Sequence, residues 1–442
     1  MPLYLRHVTK RRTLRAAIIG GTAGAIAVFV AWRAFSVWLL HVADAPPPGM
    51  RCRRVADSTY GDAIADAARR LATAMQTQRI PGMTVAVAID GRLIWSEGLG
   101  YADVEARAPA CPETRFRLGS VSKPITAVAM ARLDEAGKLD LDAPIARYVP
   151  SFPDRGAITA RQLAGHRAGI RHYRDDAEAF TTRHFASVTE SLALFRDDSL
   201  LFPPGQGHEY SSYGYVLLSA VLEGASELSF DEVLRRFVVE PLRLTRTGLD
   251  TSDSTSMHPA DVTQFYDHVT PYVLDGKVHP SPFVDLSGRW AAGGMLSTSE
   301  DLVRFGSALL PNADSSFLHP ETRAALFTPM TRLIPPIFGY AMGWMTARDA
   351  DLRRVYMHFG AGSGATAWLG IYPDQGVVIA VLANLGHAGL PYSSSVGLGA
   401  HFAARPVGLT ALLLAIAFLA SALATIVLRW VFHVARSRWR RV

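Results

Sequence analysis

The chain has 442 residues, of which 49% are hydrophobic, so it is long enough for one large domain or two and apolar enough for a substantial core. Its formal net charge of +6 comes from its ends: residues 1–54 hold nine basic side chains and one acidic, residues 405–442 hold six basic and none acidic, and the middle holds 30 basic against 38 acidic. A nucleic-acid-binding domain carries its basic face on the globular part, so this distribution excludes that class and predicts no nucleic-acid partner.

Two long apolar stretches flank the middle of the chain. Residues 16–40 are interrupted only by Arg33, and residues 407–428 carry no charge. Both stretches are long enough to cross a hydrocarbon core, so we expect two transmembrane helices and hence a membrane as partner. Their arginine-rich flanks, residues 1–15 and 429–442, should remain in the cytoplasm. The sequence therefore predicts a protein of the cytoplasmic (inner) membrane, with its catalytic domain on the extracytoplasmic side.

The segments between these stretches and the middle of the chain leave two alternatives open. A cleaved signal peptide would fit Ala43-Asp44-Ala45, but the apolar stretch before it exceeds the usual 7 to 15 residues, which favours an uncleaved anchor. Residues 41–58 and 391–406 are expected to be linkers. Cys52 and Cys111, the only cysteines, could pair in an oxidising compartment or remain as two free thiols.

The pattern of residues 59–390 predicts one domain with strands at both ends and helices between them. A helix is expected from Tyr60 to Gln78, followed by two strands that meet at an Asp90-Gly91 turn. Helical patterns dominate residues 120–283, and strand patterns return at 355–359, 366–372 and 377–382. This order predicts an α/β (α+β) fold, in which an antiparallel sheet is built from both ends of the domain and flanked by helices and a mostly helical insertion. A cleft between the two parts is the expected place for a site.

The stretch from Phe116 to Ala136 carries the strongest chemical signal. A short extended run ends at Gly119, and an apolar helical pattern follows from Ser120 to Glu135, so that Ser120 and Lys123 share one helix face. Pro124 is compatible with a first helical turn, because the N–H that proline lacks has no helical partner there. This spacing suits a serine nucleophile beside a lysine base, with the helix N-terminus stabilising negative charge.

The scarcity of lysine supports a special role for Lys123. Of 45 basic residues only four are lysines, namely Lys10, Lys123, Lys138 and Lys277. Arginine stays protonated at any working pH, whereas a buried lysine can lose its proton and act as a base.

Two later stretches add polar groups to the expected site. Tyr210 follows a Pro203-Pro204-Gly205 turn and precedes a helix expected from Tyr213 to Glu223. His358, Gly360 and Ala361 lie on the first of the returning strands. Taken singly, these stretches would equally fit a packed aromatic side chain and a glycine-rich strand end.

The order of these elements resembles the serine β-lactamase and penicillin-binding family, whose motifs are S-x-x-K, a central polar motif and K-T-G. The central motif, which begins with Tyr210, resembles the Y-x-N motif of the class C branch. This branch includes related esterases and D-aminopeptidases. Residues 163–170 and 291–302 resemble the same branch, and the resemblance covers roughly residues 60–390.

The resemblance implies a role for each matching residue. Ser120 would be the nucleophile, Lys123 its base, and Tyr210 the group that protonates the leaving group. The N–H groups of Ser120 and Ala361 would form an oxyanion hole, and His358 and Gly360 would line the strand beside the acyl group.

Two positions depart from the family pattern. Ser212 replaces the asparagine of the central motif, and His358 replaces the lysine of K-T-G. Because histidine is mostly neutral at pH 7, the positive charge expected opposite a penicillin carboxylate is missing.

We therefore expect a membrane-anchored serine hydrolase that cleaves a small-molecule ester or a peptide amide without a cofactor or a metal. One alternative is a D,D-peptidase or transpeptidase acting on cell-wall peptides, with weak β-lactamase activity. Another is a non-catalytic, penicillin-binding-like sensor domain. The sequence gives no indication of the oligomeric state.

Overall fold

The computed structural model describes residues 50–153, 155–251, 266–268, 278–334, 338–349, 351–388 and 396–403. Within these ranges the strands are β1 (Arg51–Ala56), β2 (Gly82–Ile89), β3 (Arg92–Asp103), β4 (Ala108–Pro109), β5 (Phe116–Arg117), β6 (Gly248–Leu249), β7 (Tyr266–His268), β8 (Val278–Pro280), β9 (Met295–Ser297), β10 (Thr331–Ile334), β11 (Phe338–Tyr340), β12 (Met345–Arg348), β13 (Arg354–Gly362), β14 (Ala365–Tyr372) and β15 (Val377–Ala383).

The helices of the same ranges are mostly short and lie largely between β5 and β10. They are α1 (Gly61–Gln78), α2 (Ser122–Glu135), α3 (Ala160–Ala164), α4 (Asp176–Ala179), α5 (Val188–Ser191), α6 (Ser212–Ser226), α7 (Phe230–Leu234), α8 (Trp290–Gly293), α9 (Ser299–Ser307), α10 (Pro320–Leu326) and α11 (Val396–Phe402). Single 3₁₀ turns occur at Ser58–Tyr60, Gly119–Val121, Ile145–Arg147 and Leu192–Leu194, and a π turn at Arg235–Val239.

The main sheet has ten strands, and every pair in it is antiparallel. Its order is β1-β3-β2-β15-β14-β13-β12-β11-β10, with β4 added beside β3. β2 pairs with β15 along its whole length, so the two ends of the domain meet in the centre of the sheet. This arrangement agrees with the α/β architecture that the sequence predicts.

The sheet is buried on both faces, which explains why its central strands are apolar at nearly every position. On one face, α1 and α11 cover a core that includes Leu71, Trp95 and Trp368. On the other face, α9 and the helical part bury a larger core around α2 and α6. The cleft at the edge of this second core contains Ser120.

The N-terminal part of the described chain is tied to the sheet. Residues 51–56, which fall in the segment expected to be a linker, form β1 and pair with β3. Cys52 and Cys111 form a disulfide, which resolves the alternative that the sequence leaves open. This bond joins β1 to the segment that leads into β5 and the turn that contains Ser120.

The predicted fold class needs one correction, which concerns the membrane. Among the described residues, no helix combines the length and the apolar character that a membrane span requires. The predicted transmembrane helices, residues 16–40 and 407–428, lie outside the described residues. The α/β architecture thus agrees with the prediction, and the correction is that none of the helices described here could span a membrane.

Candidate active site

The turn that carries Ser120 packs directly against β13. Gly119 has a φ of +50°, and a Cβ there would lie 2.8 Å from the Ala361 nitrogen. A Cβ on Gly360 would lie 1.9 Å from the Leu118 oxygen. Both contacts are too close for a side chain, so glycine is required at both positions. The two glycines bring the backbone N–H groups of Ser120 and Ala361 to the same end of the cleft.

Lys123 lies one turn after Ser120 and is fully buried. Its Nζ is 2.9 Å from Ser120 Oγ, 3.2 Å from Ser212 Oγ and 2.7 Å from the Ala292 carbonyl oxygen. No carboxylate of the described part of the chain forms an ion pair with it. Burial therefore lowers the pKa of Lys123 well below its ordinary value of 10.5.

The three contacts of Nζ match the donors and the acceptor of a neutral amine. Such an amine has two N–H bonds and one lone pair. The Ala292 carbonyl can only accept, and the Ser212 hydroxyl can accept the second N–H. The lone pair is then free to accept the proton of Ser120 Oγ, as a general base does.

Tyr210 lies on the loop just before α6, on the other side of Ser120. Its hydroxyl hydrogen-bonds with Ser120, while burial raises the pKa of Tyr210 well above its ordinary value. The Lys123 Nζ lies 4.8 Å from the centre of the Tyr210 ring. Tyr210 is thus a protonated phenol in hydrogen-bond contact with Ser120 at neutral pH.

His358 occupies the β13 position where a lysine would stand in the family motif. It is fully buried, and its Nδ1 lies 2.6 Å from the Phe359 carbonyl oxygen, which must accept the proton from that nitrogen. Its Nε2 lies 3.0 Å from Tyr340 Oη and therefore accepts the phenol proton. Burial lowers the pKa of His358 to about 3, so the ring is neutral.

Two further histidines, to which the sequence analysis assigns no specific role, support the loop of Tyr210. Ser211 N–H donates to His166 Nδ1 at 3.1 Å, and Ser212 N–H donates to His172 Nδ1 at 3.2 Å. The His166 ring centre lies 4.4 Å from that of Tyr210. Desolvation lowers the pKa of His166 well below its usual value and that of His172 to about 4. Both rings therefore hold the loop as neutral acceptors.

Tyr340 is a site residue that no sequence pattern indicates. It lies on β11, its ring centre is 4.6 Å from that of His166, and its hydroxyl contacts His358. It therefore connects the wall formed by β13 to the wall formed by the helical part. The sequence motif at residues 163–170 contains His166 but does not indicate that Tyr340 is its partner.

A cavity of about 1300 Å³ opens onto Ser120. Its lining includes four of the predicted site residues or their direct neighbours, namely Ser120, Ser212, Ala361 and Gly362. Apolar side chains such as Phe180, Phe283 and Leu286 form part of its wall. The arrangement brings a serine hydroxyl into contact with a buried amine and a phenol beside a partly apolar cleft.

Comparison with known proteins places these features in a family. The sequence matches the Beta-lactamase family over residues 67–393. The human protein serine beta-lactamase-like protein LACTB, mitochondrial, is 30% identical over an alignment that covers 70% of this chain and 74% of the human one. Stretches such as residues 135–142 and 166–173 carry this similarity to the mitochondrial protein in the sequence itself.

Solved structures share the fold. An octameric penicillin-binding protein homologue from Pyrococcus abyssi has a TM-score of 0.66 and is 27% identical, covering 76% of each chain. A D-stereospecific amidohydrolase from Streptomyces sp. has a TM-score of 0.62 and is 25% identical, covering 75% of this chain and 97% of its own. These matches confirm the resemblance indicated by the three motifs.

Proposed function

Because the chain belongs to the β-lactamase family, we propose that it is a serine hydrolase that cleaves an ester or a peptide amide through an acyl-enzyme on Ser120. The observation that carries this proposal is the contact of 2.9 Å between Ser120 Oγ and the Nζ of a fully buried lysine. A buried amine without a carboxylate partner is a base at neutral pH, and a base beside a hydroxyl is what activates a serine.

Acylation begins when neutral Lys123 takes the proton from Ser120 Oγ, which attacks the substrate carbonyl carbon. The C=O bond becomes a C–O⁻ bond, and the oxyanion accepts hydrogen bonds from the N–H groups of Ser120 and Ala361. Each such donor typically contributes about 2.7 to 4 kcal/mol to stabilising the transition state.

Collapse of this intermediate breaks the bond to the leaving group. Tyr210 donates its proton to the leaving oxygen or nitrogen and recovers one from Lys123. In deacylation a water molecule attacks the acyl carbon, its proton passes to the same pair of residues, and Ser120 regains its own proton. Both steps need Lys123 and Tyr210 to alternate between donor and acceptor, which their hydrogen bonds to Ser120 permit.

A second candidate is hydrolysis of an amide next to a D-amino acid. The similar structure from Streptomyces sp. is named a D-stereospecific amidohydrolase, and this is the specific observation that favours it. β-Lactam hydrolysis is less favoured by the site, because neutral His358 replaces the lysine that would face a penicillin carboxylate.

We also propose that the domain works in an oxidising, extracytoplasmic compartment. The Cys52–Cys111 disulfide supports this location, because cytosolic thiols are kept reduced. Mass spectrometry of the protein isolated from its own host, with free thiols blocked before lysis, tests the location. Recovery of both cysteines as blocked thiols would contradict it.

Covalent labelling with a fluorophosphonate tests the reaction. We expect the parent to be labelled on Ser120, and Ser120→Ala to lose both labelling and turnover of short-chain esters and peptides. Ser316→Ala, which changes an exposed serine outside the cleft, is the matched control and should behave as the parent. Full labelling of Ser120→Ala, or no labelling of the parent, would contradict the acyl-enzyme.

A further inference from the structure

The cleft contains an arginine whose hydrogen bonds are incomplete. Arg289 lines the same cavity as Ser120 and is partly exposed. It directly precedes α8, and its carbonyl accepts the N–H groups of Ala292 and Gly293. The carbonyl of Ala292 contacts Lys123. The backbone of Arg289 therefore lies about one helical turn, roughly 5 Å along α8, from the carbonyl group that contacts the base.

The guanidinium of Arg289 uses only part of its donor capacity. Its Nη1 donates to the Ala179 carbonyl at the end of α4, and its Cζ lies 5.4 Å from the centre of the Tyr173 ring. Its Nη2 is shielded from water and meets no acceptor within the described ranges. An unsatisfied buried donor is unfavourable, and one on a charged group especially so. The side chain is therefore held in place on the wall of the cavity with one N–H group left without an acceptor among the described residues.

The cavity lining also contains a carboxylate, Asp176 on α4, which forms no ion pair with Arg289 among the described residues. Arg117, which also lines the cavity, is paired with Asp250 at 2.6 Å. Arg289 has no such carboxylate partner in the part of the chain that the structure describes. On the opposite wall His358 is neutral. Arg289 therefore provides a fixed positive charge on the α8 side of the cleft. The family motif, in contrast, would place a positive charge on β13.

We propose that Arg289 binds a carboxylate of the substrate, so that the hydrolase prefers esters or amides that carry a free carboxylate. This inference rests on the proposed function, since it concerns the same cleft. The guanidinium is suited to a carboxylate because its N–H groups match the two oxygens and its charge strengthens each hydrogen bond. Phe283 and Leu286, which line the cavity nearby in the sequence, would contact an apolar segment between the carboxylate and the scissile bond.

Paired covalent probes test this specificity without requiring turnover. Each pair consists of two alkyl fluorophosphonates of equal chain length, one ending in a carboxylate and the other in its methyl ester. Short, medium and long chains cover the unknown span between Ser120 and the guanidinium. The measured quantity is the second-order labelling rate of the parent, Arg289→Gln, Arg289→Lys and Arg332→Gln, the last being an exposed arginine on β10.

The parent should label faster with the carboxylate probe than with its ester at one chain length. Arg289→Gln should reduce that preference by about 10- to 100-fold, as expected for lost hydrogen bonds to a charged group, while the rate with the ester changes little. Arg289→Lys should keep part of the preference, and Arg332→Gln all of it. A purely structural role of Arg289 would lower both rates equally and leave their ratio unchanged.

The possible failures are distinguishable. Equal labelling of the parent by both members of every pair, or an unchanged ratio in Arg289→Gln, would overturn the carboxylate site and leave the acyl-enzyme intact. Absence of labelling by every probe in the parent would overturn the proposed function and this inference with it.

Discussion

Two buried basic side chains show how the same fold uses basic residues in opposite ways. Lys123 in the cleft is fully buried, and Arg353 behind the sheet is 2% exposed. Both are removed from water, which disfavours a charged group unless partners compensate. Their partners, however, differ in kind.

Arg353 is surrounded by acceptors that favour a charge. It donates to Asp349 at 2.7 Å, to Asp351 at 2.9 Å and to the Ala403 carbonyl at 2.6 Å. These bonds join the turn between β12 and β13 to the end of α11. Arginine holds its proton above about pH 12, so this cation serves structure and not proton transfer.

Lys123 has two hydroxyls and one carbonyl as its neighbours and no carboxylate among the described residues. No anion of the described part of the chain compensates for a buried charge there, so the neutral amine is favoured. The comparison teaches that burial alone does not make a base. A group that can lose its proton and a lack of anionic partners are both required.

The largest expected effect comes from Lys123→Met, which keeps much of the side-chain length and removes the base. We expect the labelling rate of Ser120 by a fluorophosphonate to fall at least about 100-fold, the lower end of what a positioned general base contributes. The fold should persist, because methionine is apolar and suits a buried position. Time courses of labelling measure the rate, and thermal melts measure the stability of the fold. Labelling at the parent rate would show that Lys123 is not the base.

The next effect concerns stability and is expected from Arg353→Met. Removing one partner of a buried ion pair leaves Asp349, which is 8% exposed, with an uncompensated charge. We expect the free energy of unfolding, measured in urea, to fall by about 3 to 5 kcal/mol. The labelling rate per folded molecule should stay within about twofold of the parent.

The double variant Arg353→Met with Asp349→Asn is the matched control for this loss. Removing Asp349 as a charge together with Arg353 should recover much of the stability, because the more deeply buried of the two carboxylates is gone and Asp351, the other one, is 17% exposed to water. A single variant as stable as the parent would mean that the pair contributes nothing. A large loss of labelling per folded molecule would show that the cation also acts on the cleft.

The smallest effect is expected from Lys138→Met. Lys138 is exposed and follows Gly137, whose φ of +66° ends the turn after α2. Surface changes of this kind usually alter stability by less than about 0.5 kcal/mol, and no contact links this lysine to Ser120. Melting and labelling should match the parent, and a loss similar to that of Lys123→Met would remove the distinction between the two lysines.

Much of the fold was predictable because its central strands have strong local patterns. The expected strands at 355–359, 366–372 and 377–382 correspond to β13, β14 and β15, with ends that differ by up to three residues. β10, β11 and β12 were not predicted, since they have only three or four residues each and the pattern is weak at that length. β1 was missed because three of its six residues are arginines, as suits a strand at the sheet edge.

The candidate site divides in the same way. Ser120, Lys123 and Tyr210 were recognisable because each stands in a short motif, and the structure brings them into contact. The contact of Tyr340 with His358 and the incomplete donors of Arg289 were not predictable, because they depend on packing between distant segments. Sequence patterns report local structure, whereas burial and unsatisfied hydrogen bonds appear only once the chain is folded.

The most direct test of the central claim is the pKa of Lys123 itself. Only four lysines occur in the sequence, so protein labelled with ¹³C at the lysine ε-carbon gives few NMR signals to follow through a pH titration. We predict one signal with a midpoint well below 10.5 that is absent in Lys123→Met, and an acylation rate that rises with pH over the same range as the amine loses its proton. Titration of every lysine signal near the ordinary value of about 10.4 would contradict the account.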